Sequence, residues 1–150
     1  MIKYDYYLAG RWRNHSAVRK VLEAVRKQGN TVFCFIENEY KGNSIIIDTQ
    51  ENIDAEGFMS RLEQLNDWQT NPTFREIFEK DMNGLKESRE FIMVLPAGLS
   101  SHMELGVAYG LGKKCYAIGK PDKHETLYLM FDGIYSDVSS FLNAKAEVRV

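Results

Sequence analysis

With 150 residues, 44% of them hydrophobic and 27% charged, the chain has the composition of an ordinary globular domain, long enough to bury a sizeable core. Its net charge of -2 argues against the basic footprint with which nucleic-acid binders neutralise phosphates, so small molecules rather than polymers are the expected ligands. No stretch approaches the ~18 uninterrupted apolar residues of a membrane span. Residues 1–10 lack a signal peptide's apolar region and cleavage site, so a cytoplasmic location without a membrane partner is expected.

In chain order, residues 4–9 read as an aromatic and apolar strand closed by Gly10. Residues 16–29 carry Val18, Val21, Leu22 and Val25 at helical spacing, and Gly29-Asn30 ends that helix. A second strand is expected over 31–36 and a weaker one over 44–48. Residues 54–89 are helical in pattern, with Phe58, Leu62 and Leu65 in one stripe. Asn71-Pro72 interrupts it and starts a second helix, whose stripe is Phe74, Ile77, Phe78, Met82 and Leu85. A strand over 91–95, a helix over 101–111, a strand over 114–118 and a final helix over 136–142 complete the series.

Alternating strands and helices imply a three-layer α/β/α domain spanning 1–150, with a mainly parallel sheet covered on both faces. Neither a repeat nor a Pro/Gly/Ser-rich linker divides the chain. Cys34 and Cys115 stand in separate strands without CxxC partners and read as reduced core residues.

The strand over 91–95 runs into a polar turn and then a helix bearing Glu104. Ligands of open α/β sheets collect at the carboxyl ends of strands, which makes Glu104 the first candidate for chemistry. Two readings stand side by side. Ser101-His-Met-Glu104 fits the S-x-x-E capping box, in which the glutamate serves only the helix start. Alternatively Glu104 faces a ligand, and the helix dipole favours the ionised carboxylate that a nucleophile requires. Such a carboxylate suits substitution at an anomeric carbon, with a second acid on the leaving-group side. Asp81 is the best second acid, and a solvated helix charge beside Lys80 is its bland alternative. Tyr6 and Tyr7 point to opposite faces of the first strand, so at most one reaches the crevice.

Other patterns weaken on inspection. His102-Met-Glu104 lacks the Pro-Cys-x-x-Cys of zinc deaminases, and neither His15 nor His124 has helical ligand spacing, so no metal is expected. Gly110-Leu-Gly-Lys113 lacks the first glycine and the Ser/Thr of a phosphate loop and reads as a helix-ending turn.

Tyr7-Leu-Ala-Gly10, Glu79-Lys-Asp-Met-Asn-Gly-Leu-Lys-Glu-Ser88 and the block from Val94 to Gly112 with its Glu-Leu-Gly core together resemble the nucleoside 2-deoxyribosyltransferase family, which includes N-hydrolases of deoxynucleoside monophosphates. The resemblance covers the opening strand and residues 74–119. It implies a flavodoxin-like or Rossmann-like fold with a five-stranded parallel sheet, no cofactor, and cleavage of a nucleoside or nucleotide N-glycosidic bond with transfer to another base or to water. It assigns Glu104 as nucleophile, Asp81 to the base side of the pocket and Tyr7 as an active-site tyrosine. Gly10 corresponds to a glycine allowing close substrate approach, and Gly98, Ser100 and Ser101 to the turn that meets the nucleotide.

Two departures bear on substrate. Ala97-Gly-Leu-Ser-Ser-His102 replaces an acidic Asp-Gly-Thr-like approach and introduces His102, and Arg11-Trp12-Arg13 replaces smaller, less charged residues. Arg11 and Arg13 are suited to a phosphate, or form a solvated basic loop with Trp12 as a local plug. A non-catalytic nucleotide-sensing module and a glycohydrolase of another nucleotide, such as a dinucleotide cofactor, are the rival functions. Residues 125–131 are apolar enough for core or subunit contact, and a homodimer or higher homo-oligomer is the expected assembly.

Overall fold

The computed structural model describes residues 1–38, 60 and 62–148. Five parallel strands, β1 (Tyr4–Ala9), β2 (Val32–Cys34), β3 (Ser88–Val94), β4 (Cys115–Ile118) and β5 (Gly133–Tyr135), form one sheet in the order β2-β1-β3-β4-β5. This is the flavodoxin-like order, whose direction of winding reverses between β1 and β3. The register pairs Tyr7 with Phe33 on one side and with Phe91 on the other.

Helices α1 (His15–Lys27) and α4 (Val138–Val148) cover one face of the sheet, and α2 (Pro72–Lys86) and α3 (Leu99–Gly110) the other. The alternation along β1 divides the core between them. Tyr6 and Leu8 pack with Val18, Leu22, Val25 and Phe141, whereas Tyr7 and Ala9 pack with Leu85, Phe91, Met93, Leu105 and Ala108. Because both faces are covered, β1 and β3 read as continuous apolar runs rather than alternating ones. Cys34 and Cys115 are both buried and free, one in each core.

The helix ends follow from local chemistry. The Asn71 side chain accepts from the backbone N–H groups of Thr73 (2.9 Å) and Phe74 (3.3 Å), and Pro72 occupies the first turn, where its missing N–H costs nothing. At the end of α3, Gly112 adopts φ +77. The Lys113 N–H returns to the Ala108 carbonyl and that of Gly112 to Tyr109, so Gly110-Leu-Gly-Lys113 is a helix-ending motif, as its sequence implied.

Several expected boundaries are corrected. β2 ends at Cys34 because Phe35–Glu37 turn into a 3-10 helix, closed by the Asn38 N–H on the Phe35 carbonyl. The helix expected over 101–111 begins two residues earlier, at Leu99. β5 was not expected: it is three residues long, lies at the sheet edge and lacks a buried apolar run. The stripe of α2 divides in function, since Leu85 is in the core while Phe78 is 55% exposed. The expected strand over 44–48, and Phe58 with its part of the first helical stripe, lie outside the described residues.

Candidate active site

Tyr7, Asp81 and Glu104 reach the reversal point between β1 and β3 from three different elements. Tyr7 on β1 is 1% exposed and lies sandwiched between Phe33 and Phe91, with ring centroids 5.3 and 5.8 Å away in stacked geometry. Such pairs contribute about 0.5–1.5 kcal/mol each beyond burial, so the ring is rigidly placed. Its hydroxyl donates to the carboxyl group of Glu104, whose Oε2 is buried without a hydrogen-bond partner among the described residues. Asp81 projects from α2, and its Oδ1 accepts from Asn38 Nδ2 at 3.3 Å.

Asp81 and Glu104 open into one cleft of about 710 Å³ between α2, α3 and the segment preceding α2. Apart from Glu63, Asp81, Ser100 and Glu104, its lining is apolar, with Trp68, Phe74, Phe78 and Met103 prominent. Apolar walls with a few convergent polar groups are the usual lining of a small-molecule site.

Burial governs the electrostatics. The Glu104 carboxyl is pushed up to about 8, chiefly by desolvation; the Tyr7 hydrogen bond opposes the rise, and the charge of Asp81 adds to it. Asp81 is raised to about 7, again by burial, with the Asn38 hydrogen bond opposing. The Tyr7 hydroxyl is held well above its ordinary value by burial and then by Glu104 and Asp81. Desolvation therefore opposes the ionised form of Glu104 that the helix dipole was expected to favour.

The capping-box reading of Glu104 is also corrected. Gly98 is the N-cap of α3 and supplies no side-chain cap, Ser101 lies within the first turn at 1% exposure, and Glu104 follows a turn later. From there the glutamate is out of reach of the helix start and turns towards Tyr7.

The remaining sequence candidates separate. A Cβ on Gly10 would stand 2.5 Å from Val18 Cγ2, so Gly10 admits α1 against the end of β1. Arg11 adjoins the turn, its Cβ 3.9 Å from where a Gly98 Cβ would lie. Trp12 packs edge-on against Phe35 at 5.0 Å, within the opposite core. Arg13 pairs with the cleft-lining Glu63 at 3.3 Å. His102 Nδ1 lies 2.7 Å from the Gly98 carbonyl and Nε2 lies 2.8 Å from the Tyr128 hydroxyl, so its ring bridges the start of α3 to the 3-10 helix Thr126–Met130. Asn38, which holds Asp81, escaped sequence reasoning because no local pattern distinguishes it from any polar residue after a strand.

No family model and no curated protein sequence matches the chain. Among solved structures, the chain is similar to a 2-deoxyribosyltransferase from the psychrotolerant bacterium Bacillus psychrosaccharolyticus, with a TM-score of 0.59 and 18% identity over 92% of this chain and 90% of that one. It is also similar to the TIR domain of a Toll-related receptor from Hydra magnipapillata, with a TM-score of 0.58 and 13% identity over 99% and 100% of the respective chains. At these identities the likeness is one of fold, a five-stranded all-parallel α/β sheet with helices on both sides.

Proposed function

We propose that this protein cleaves the N-glycosidic bond of a nucleoside or nucleotide, with Glu104 as nucleophile, Asp81 as the acid on the base side and Tyr7 as the group that holds Glu104. The observation that carries this reading is the convergence of both raised carboxyls on one cleft, with the buried Glu104 carboxyl backed by a rigid tyrosine. Titratable groups perturbed by burial at the carboxyl ends of strands are the pattern of acid–base chemistry. The fold likeness to a 2-deoxyribosyltransferase agrees with it.

The reactive form has Glu104 ionised and Asp81 protonated, the less populated of the two singly protonated arrangements, since burial raises Glu104 to about 8 and Asp81 only to about 7. The Glu104 carboxylate attacks the anomeric carbon, the C1′–N bond breaks with its electron pair going to the base, and Asp81 supplies the proton to that base. Water or a second base then attacks C1′, returning Glu104 as carboxylate, while the incoming nucleophile's proton passes to Asp81. The Tyr7 hydrogen bond lowers the cost of the ionised glutamate. The apolar cleft wall stacks the base, and a phosphate on the substrate meets Arg11 and the uncapped amides following Gly98.

Incubation with a panel of ribo- and deoxyribonucleosides, their monophosphates and a dinucleotide cofactor, with and without an acceptor base, tests the assignment. Release or exchange of base by wild type and its loss in Glu104→Ala is the expected result. Equal behaviour of the two proteins removes Glu104 from catalysis. Tight nucleotide binding without product identifies a sensing module instead, and turnover of the dinucleotide alone identifies the other glycohydrolase.

A further inference from the structure

Asp81 does not set its own orientation. Among the described residues, the hydrogen bond to its carboxyl comes from a different element: Asn38 Nδ2 donates to Oδ1 at 3.3 Å across a separation of 43 residues. The backbone of Asn38 is itself held in place. Its backbone N–H closes the Phe35–Glu37 turn on the Phe35 carbonyl, and that turn is tied to α1 by Arg26, which donates to both oxygens of Glu37 at 2.7 and 2.6 Å. On the other side, α2 reaches this point through Gly84, one helical turn beyond Asp81. A Cβ there would lie 2.6 Å from the Phe33 ring, so only glycine lets the helix settle against β2.

The chemistry of the contact is directional. An amide N–H needs a lone pair, so the oxygen it meets stays unprotonated, and the proton of a neutral carboxyl goes to the other oxygen. We propose that Asn38 is a positioning residue: by occupying Oδ1 of Asp81 it places the acid's proton on Oδ2, directed at the base in the cleft. This rests on the glycosidic reading in naming the base as the recipient, but the placement of the proton does not depend on it. Glu104 and Glu63 share the cleft lining with Asp81, Lys80 precedes it on α2, and the Tyr7 hydroxyl approaches from β1. Asn38 supplies the neutral amide donor that meets Asp81.

The test combines a titration with a leaving-group comparison on the full chain. Carboxyl carbon NMR follows Asp81, assigned by its disappearance in Asp81→Asn, in wild type and in Asn38→Leu, which keeps the side chain's shape without its donor. Asn38→Ala replaces it if Asn38→Leu fails to fold. The Asp81 midpoint moves up in the variant, because a hydrogen bond that stabilised the carboxylate is gone. With a natural nucleoside or nucleotide, kcat falls about tenfold or more, a part of the ~10²–10⁴-fold that general-acid assistance contributes, while an activated glycoside whose aglycone leaves without a proton is cleaved at nearly the wild-type rate. An unmoved midpoint in the folded variant, or equal losses on both substrates, overturns the proposal. If wild type cleaves no glycoside, the glycosidic reading fails, and the NMR titration alone decides whether Asn38 governs Asp81.

Discussion

At the residue scale, the site is two carboxyls that water would leave ionised and the fold does not. Both are raised by burial, Asp81 to about 7 and Glu104 to about 8, and their interaction makes these the two steps of a pair. Between the steps the pair holds one proton, the count that the mechanism needs. The kcat/KM profile is therefore expected to be a narrow bell, rising as the doubly protonated form disappears near the lower value and falling as the last proton leaves near the upper. A flat profile between pH 6 and 9, measured on a cleaved substrate, would contradict it. The same shifts bear on stability. A carboxyl raised in the folded state contributes stability that is fully present below its unfolded value and is lost as pH rises through the folded one. Glu104→Gln, neutral at every pH, should thus abolish turnover yet gain on wild type by a margin on the order of 5 kcal/mol at pH 9, shrinking towards pH 5, in denaturant titrations at both pH values. Sequence reasoning singled out Glu104 and Asp81 from their places along the chain and Tyr7 through the family resemblance, and the fold brings their side chains together. The same reasoning missed Asn38, whose importance lies only in the 3.3 Å to a residue on another element.

At the element scale, close approach positions the acids. Helix α2 meets β2 where Gly84 faces Phe33, and Phe33 in turn stacks on Tyr7. A methyl group at position 84 has no space without moving that ring or the helix, and overpacking of this kind costs about 1–3 kcal/mol. Gly84→Ala should lower stability by such an amount and depress turnover further than the stability loss explains, because Asp81 moves with the helix. Thermal unfolding together with kcat of the folded fraction checks this, and unchanged turnover would mean that α2 placement is not critical. The elements themselves were largely legible: the periodic apolar residues of α1, the Asn71-Pro72 start of α2 and the glycine end of α3 are local signals. The start of α3 was misread because Ser101-His-Met-Glu104 satisfies a capping pattern, whereas the chain turns into the helix at Gly98 without any side-chain cap. β5 escaped because a three-residue edge strand is defined by its partner, β4, more than by its own residues.

At the scale of the whole molecule, α3 leaves Leu99, Met103 and Val107 exposed in an i, i+4, i+8 row beside the cleft, and Leu127 and Leu129 are exposed nearby in sequence to the His102-bound Tyr128. We propose a homodimer, one of the assemblies expected from the sequence. Solution scattering should then give twice the 17.3 kDa of one chain, and a monomeric mass would withdraw the proposal. None of the described helices is long and apolar enough to cross a membrane. The sequence by itself determined the alternation of strands and helices apart from β5, the parallel two-sided sheet, and which residues carry ionisable or nucleophilic groups, because these depend on periodicity and residue type over short spans. Only the tertiary structure decided that Glu104 turns from the helix start to Tyr7, that Asn38 holds Asp81, that Arg13 is drawn to Glu63, and that both acids hold their protons towards neutral pH. Those outcomes depend on distance and on the exclusion of water, which exist only once β1, β2, α2 and α3 have packed around a common cleft.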